Sequence, residues 1–151
     1  MQPAPQLKTS TDPPQTCPSL LLLESDDAVR ESLELMLVFS AFDTLPVSNS
    51  TEALEAIAAN PFDLVLLDCA LAETNGIDVI FEIRARFPNL RIVAMSADVD
   101  NEALALAAGA ARFVPKPIEP AQLLEALQSS RQTTWRGENE PGVNGNLGSR
   151  L

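Results

Sequence analysis

Leu64-Val65-Leu66-Leu67-Asp68, led in by Pro61-Phe62-Asp63, decides how this chain folds. Four apolar residues in a row, with no polar alternation, describe a strand buried on both faces, as in the middle of a parallel sheet. The carboxylate that follows them is delivered to the strand's C-terminal end. Working outward, the same design recurs. Four leucines at residues 20–23 lead to Glu24, Ser25, Asp26 and Asp27, Ile92-Val93-Ala94-Met95 delivers Ser96, and Phe113-Val114-Pro115 delivers Lys116. In an open parallel sheet those ends converge on one crevice, where such folds keep their sites. Carboxylates, a hydroxyl and a lysine gathered there suit a divalent cation and a phosphoryl group.

Helical periodicity fills the gaps between the apolar runs. The pattern predicts strands at 19–24, 42–47, 63–68, 90–95 and 111–115. A helix over 27–40 carries Val29, Leu33, Met36 and Leu37 at helical spacing. Ser50 is read as the cap of an Ala-rich helix through residue 60, stopped by Pro61. Asn75-Gly76 turns the chain into a helix through about residue 87, ended by Pro88. A fourth helix spans 101–108, closed by Gly109, with Leu104, Leu106 and the surrounding alanines read as a helix face rather than anything chemical. The last helix runs from 119 to about 129. Strands alternating with amphipathic helices make an α/β domain with a doubly wound, five-stranded parallel sheet and five helices.

A chain of 151 residues is expected to form one domain with a real core. Its 46% hydrophobic and 21% charged content is that of an ordinary globule, and no apolar stretch is long enough to cross a bilayer. No basic-then-apolar leader pattern opens the chain, so a cytoplasmic protein without membrane contact is expected. Five of the twelve prolines lie in residues 1–19, and four of the six glycines in 137–148. Composition therefore divides the chain into a disordered N-terminal tail (1–18), a folded domain (19–130) and a disordered C-terminal tail (131–151). Residues 20–129 hold 18 acidic against 6 basic side chains, and the net charge is −11. An acidic body without a basic stripe argues against nucleic acid as a direct partner. Cys17 and Cys69 form neither a disulfide framework nor a zinc site. The absence of histidine excludes Ser-His and Cys-His catalysis, His-ligated metals and a phosphohistidine of this chain's own.

Five βα units with acids after the first strand, Asp68 after the third, Ser96-Ala97 after the fourth and Lys116-Pro117 after the fifth resemble a known family. The chain is similar to response-regulator receiver domains, the phosphoacceptors of two-component signalling, over roughly residues 20–129. The resemblance implies a flavodoxin-like strand order of 2-1-3-4-5. It also implies that Asp68 is the phosphorylated aspartate, an ionised carboxylate that needs no general base to attack phosphorus. Lys116 would set its ammonium beside Asp68, Ser96 would donate its hydroxyl to the new phosphate, and Phe113 stands at the place of the switching aromatic. Mg2+ would be held by Asp68, by the backbone carbonyl of Ala70 and by an acid from the first strand. Lys116-Pro117 would be joined by a cis peptide.

Two registers compete at the first strand, where the family has two adjacent acids. Placing Arg30 and the face of Val29, Leu33, Met36 and Leu37 as the family has them puts Glu24 and Ser25 at the pair. Sliding the pair onto Asp26-Asp27 breaks that face. The first register is preferred, and it departs from the family pattern: Ser25 replaces the metal-binding carboxylate, which removes a full charge from a site that holds a hard cation by charge. Glu24 and Asp26 are then the acids left to reach the metal. A second departure is Ala72, where the family usually has proline.

The leading functional expectation is a stand-alone receiver, phosphorylated by a histidine kinase or histidine phosphotransfer protein. It would be a phosphoacceptor rather than an enzyme, and no effector domain fits after residue 129. Its signal would pass to a downstream protein through the fourth helix, fifth strand and fifth helix. The alternative is a degenerate receiver that binds partners without being phosphorylated, which Ser25 favours and the retention of Asp68, Ser96 and Lys116 disfavours. An aspartyl phosphatase of the haloacid-dehalogenase type would need an acid two residues after the nucleophile, where this chain has Ala70.

Overall fold

The computed structural model describes residues 17–137. The chain runs as β1 (Ser19–Leu23), α1 (Asp27–Phe39), β2 (Asp43–Val47), α2 (Ser50–Ala59), β3 (Leu64–Asp68), α3 (Gly76–Arg86), β4 (Arg91–Ser96), α4 (Asn101–Ala108), β5 (Arg112–Pro115) and α5 (Pro120–Gly137). The strands form one parallel sheet in the order β2-β1-β3-β4-β5, as expected from the resemblance. Every residue of the central strand β3 is buried, which is why its sequence shows no alternation. Pro46 and Pro115 sit on the two edge strands, where a missing N–H is tolerated.

Because successive side chains point to opposite faces, each strand feeds two cores. Leu20, Leu22, Leu64, Leu66, Val93 and Met95 face α1 and α5, meeting Leu33, Leu37, Leu123 and Leu127. Leu21, Leu23, Val65, Leu67, Ile92 and Ala94 face α2, α3 and α4, meeting Ala53, Ile57, Val79, Ile80, Ile83 and Ala105. Each fully buried aliphatic side chain contributes roughly 1.5–3 kcal/mol, so the leucine runs are the main source of stability.

Three details differ from the sequence reading. The cap of α2 is Asn49, whose side chain accepts the Glu52 N–H; Ser50 is the first helical residue. Asn and Ser serve equally well as caps, so adjacent candidates are not separable by type. Leu104 and Leu106 do not form one helix face: they are 55% and 43% exposed, and Ala105 between them is the buried residue of α4. Residues two apart on a helix cannot share a face. The last helix continues past residue 129 to Gly137, crossing the boundary that composition suggests at 130. The rest of both tails, 1–16 and 138–151, lies outside the described residues. No helix among the described residues is long and apolar enough to cross a membrane.

Candidate functional site

The register of the sheet brings the strand ends together. Leu23 pairs with Leu67, Asp68 with Met95, and Ser96 with Pro115, so Glu24, Asp68, Ser96 and Lys116 emerge at the same edge. Backbone bonds hold that edge flush: Glu24 N–H donates to the Val47 carbonyl, Cys69 N–H to Met95, and Lys116 N–H to Ser96. Glu24 is 1% exposed, Asp68 3% and Ser96 1%, and they are the buried polar side chains among the described residues. A buried polar group is costly unless it is partnered. All three are.

Lys116 Nζ lies 2.8 Å from Glu24 Oε1 and 3.0 Å from Asp68 Oδ2, bridging the two carboxylates. The remaining oxygens take backbone donors: Asp68 Oδ1 accepts the Ala70 N–H, and Glu24 Oε2 accepts the Asp26 N–H. Burial raises the pKa of Glu24, opposed by its bonds to Lys116 and the Asp26 N–H and reinforced by the charge of Asp68. Burial alone would lower that of Lys116, but its two carboxylate partners outweigh this and the net shift is upward. The ammonium therefore stays charged well beyond neutral pH. The Cys69 thiol, buried directly after Asp68, is pushed up to about 12 by burial and by the Asp68 charge.

β1 ends at Leu23 and Asp26 is the N-cap of α1, its Oδ1 accepting the Val29 N–H. The Asp26 carboxylate is thus engaged at the helix start, and Glu24 is the first-strand acid beside Asp68. Arg30 fixes the same turn, donating to the Glu24 carbonyl at 3.0 Å and to Asp27 at 2.7 Å. Ser25 Oγ accepts the Ala72 N–H at 3.2 Å, tying the loop after β1 to the loop after β3. Phe113 is half-buried on β5, against the core beneath α2, α3 and α4. Lys116-Pro117 is cis.

Two residues shape this edge through contacts that the sequence reading did not give. Gly76 opens α3 where a Cβ would lie 2.5 Å from the Asp68 carbonyl oxygen and from Cys69 Cα, so only glycine fits against the chain carrying Asp68. Asn101 donates its side-chain N–H to Ser96 Oγ at 3.0 Å, a contact that spacing alone does not reveal.

No group of three or more His, Cys, Asp or Glu side chains arranged to hold a metal occurs among the described residues. Two carboxylates at the sheet edge, with the carbonyl of Ala70 nearby in sequence, are still hard oxygen donors. Mg2+ characteristically binds through one or two carboxylates and keeps several waters. The residues present fit that ion, with one charge fewer than a three-carboxylate pocket would give.

Comparison with known proteins agrees with this geometry. Residues 20–128 match the family model of the response regulator receiver domain. The chain is 33% identical over 131 residues to the response regulator protein PilR of Pseudomonas aeruginosa, covering 85% of this chain and 29% of that protein. It is 34% identical over 124 residues to the DNA-binding response regulator MtrA of Mycolicibacterium smegmatis, covering 81% and 53% respectively. The chain thus spans about half or less of the length of these curated relatives. Among solved structures, a CheY-like receiver domain from Methanospirillum hungatei JF-1 superposes with a TM-score of 0.74 at 22% identity, covering 80% of this chain and 98% of that one. A CheY-like receiver domain from Methylobacillus flagellatus gives 0.70 at 26% identity, covering 76% and 99%.

Proposed function

Because the chain belongs to the response regulator receiver domain family of two-component systems, we propose that Asp68 is its phosphoacceptor and that a histidine kinase or histidine phosphotransfer protein is the donor. The observation that carries this reading is the bridge of Lys116 across Glu24 and Asp68 at a sheet edge that also buries Ser96. A carboxylate nucleophile needs no base; an Asp68 oxygen forms the new P–O bond as the donor's P–N bond breaks, and the imidazole takes up a proton. Lys116 supplies a fixed positive charge beside the incoming phosphoryl oxygens. Ser96 contributes a hydroxyl proton to one of them. Asp68, the Ala70 carbonyl and Glu24 would hold Mg2+, whose charge offsets that of the phosphoryl oxygens when it is bound. Phe113, Leu104 and Leu106 lie on the α4-β5-α5 side, the face we assign to a downstream protein partner.

Ser25 supports a second reading, a receiver that binds partners without phosphorylation, since its hydroxyl closes a loop instead of offering a charge. Acetyl phosphate separates the two. With Mg2+ the intact mass is expected to rise by one phosphoryl group, without Mg2+ far less, and in Asp68→Asn not at all. No gain in the wild type, together with a gain in Ser25→Asp, would establish the second reading instead.

A further inference from the structure

Ser96 Oγ accepts two hydrogen bonds, from the Asp98 N–H and from Asn101 Nδ2, each at 3.0 Å. A hydroxyl has two acceptor positions and one proton. Both acceptor positions therefore face the start of α4, and the proton remains for another partner. Each bond has only about 0.5 Å to lose before its distance passes hydrogen-bond range. A hydroxyl drawn toward a group on Asp68 does not keep both.

The helix on the other side of these bonds begins unlike those before it. Asp26, Asn49 and Asn75 cap α1, α2 and α3 with their side chains, whereas Asp100 before α4 makes no side-chain cap bond. Residues 97–100 are exposed, and Ala105 is the buried residue of α4. At its far end the helix is clamped, with Arg84 donating to the Gly109 carbonyl at 2.9 Å. The near end is tied to the sheet through the hydroxyl of Ser96.

We propose that Asn101 is a positioning residue that latches Ser96, so that α4 and a phosphoryl group on Asp68 compete for one hydroxyl. While Asn101 and the Asp98 N–H hold Oγ, the first turn of α4 is docked and the oxygen is kept at the start of that helix. Once the hydroxyl is drawn to a phosphoryl oxygen, that turn is released and α4 pivots about the Arg84–Gly109 clamp. The inference rests on Asp68 being the phosphoacceptor and deepens that reading by naming what opposes the switch.

Two substitutions with opposite consequences test it in the full chain. Asn101→Ala removes the donor, so amide hydrogen exchange over residues 97–105 of the unphosphorylated protein is expected to quicken roughly threefold to tenfold, the weight of one hydrogen bond. Labelling of Asp68 by acetyl phosphate with Mg2+ should quicken by a similar factor, because a held-off state is no longer favoured. Asn101→Asp replaces the donor by an acceptor that takes the Ser96 proton, so labelling should slow while exchange over 97–105 does not quicken. A merely structural role would move both variants in the same direction. That result, or exchange in Asn101→Ala equal to wild type, overturns the latch. Should no protein be labelled, the phosphoacceptor reading fails, and the exchange comparison still decides whether Asn101 tethers α4. Unchanged exchange within β3 serves as the control for an intact fold.

Discussion

Replacing Lys116 by methionine removes the one cation that lies between two buried carboxylates. The side chains of Glu24 and Asp68 are 1% and 5% exposed and that of Lys116 is 18% exposed, with contacts of 2.8 and 3.0 Å. At an effective dielectric near 20 each contact is worth on the order of 5 kcal/mol in Coulomb attraction, but desolvating the ions offsets most of it. What the substitution exposes is the penalty of two unpaired buried charges, about 3–5 kcal/mol when a partner is deleted. The lower end applies here, because Lys116 reaches solvent and the facing carboxylates can share a proton once it is gone. A loss of about 3 kcal/mol at pH 8 lowers the urea midpoint by about 2 M for an m-value near 1.5 kcal/mol/M. The pH dependence is the sharper test. In the variant, Glu24, already raised by burial in the wild type, is raised further, so the folded state holds a proton that the unfolded chain releases. An acid raised on folding favours the folded state below its unfolded value and loses that advantage as pH rises through the folded value. The deficit against wild type should therefore be largest at pH 8 and shrink by about 1.4 kcal/mol or more on moving below pH 5. A deficit equal at both pH values, or none at pH 8, would refute the picture of Lys116 as the counter-charge of a buried acidic pair.

Gly76→Ala forces a Cβ to within 2.5 Å of backbone atoms of Asp68 and Cys69, with no flexible side chain to give way. A loss of about 2–3 kcal/mol is expected, seen as a fall in Tm on the order of 10 °C; an unchanged Tm would mean that the close approach is not real. Thiol titration with Ellman's reagent at pH 8 should modify one cysteine in the native protein and two in denaturant. Cys17 is exposed, while Cys69 is buried with its thiol pushed up to about 12, so little thiolate exists to react. Equal rates for both cysteines in the native state would contradict this.

The sheet and its site edge were legible because their signal is local. A doubly buried strand announces itself by an unbroken apolar run, and a polar residue after it has one place to go. The face of α1 likewise selects a strand-one register: Leu33 and Leu37 are buried, Val29 and Met36 pack beside them, and Glu24 then falls next to Asp68. What stayed hidden is non-local. The Ser25 hydroxyl meets the Ala72 N–H across two loops, and Glu73 accepts the Ser50 N–H across another pair. No periodicity records such contacts. Nor did composition show that Ala105, rather than Leu104 or Leu106, is the buried residue of α4, since both leucines are as apolar as any core residue.

The fold has little need of its charged edge. Buried ion pairs contribute little net stability, and well-packed apolar residues of similar volume are often as good or better. The leucines at 20–23 and 64–67 are fully excluded from solvent and stabilise the domain on both faces of the sheet. Glu24 and Asp68 sit immediately beyond them, and Lys116 beyond β5, at positions where one more apolar layer would have closed the core. Keeping two acids and an ammonium there costs desolvation energy that their mutual attraction only roughly offsets. Such an arrangement is economical only if the charges act on something that comes and goes. The phosphoryl group we propose on Asp68 would be that kind of visitor: it would bring negative charge to Lys116, accept a hydrogen bond from Ser96, and draw on the hydroxyl to which Asn101 donates. Its effect would be confined to a few side chains at one edge, while the leucine layers beneath would keep the strand ends in register.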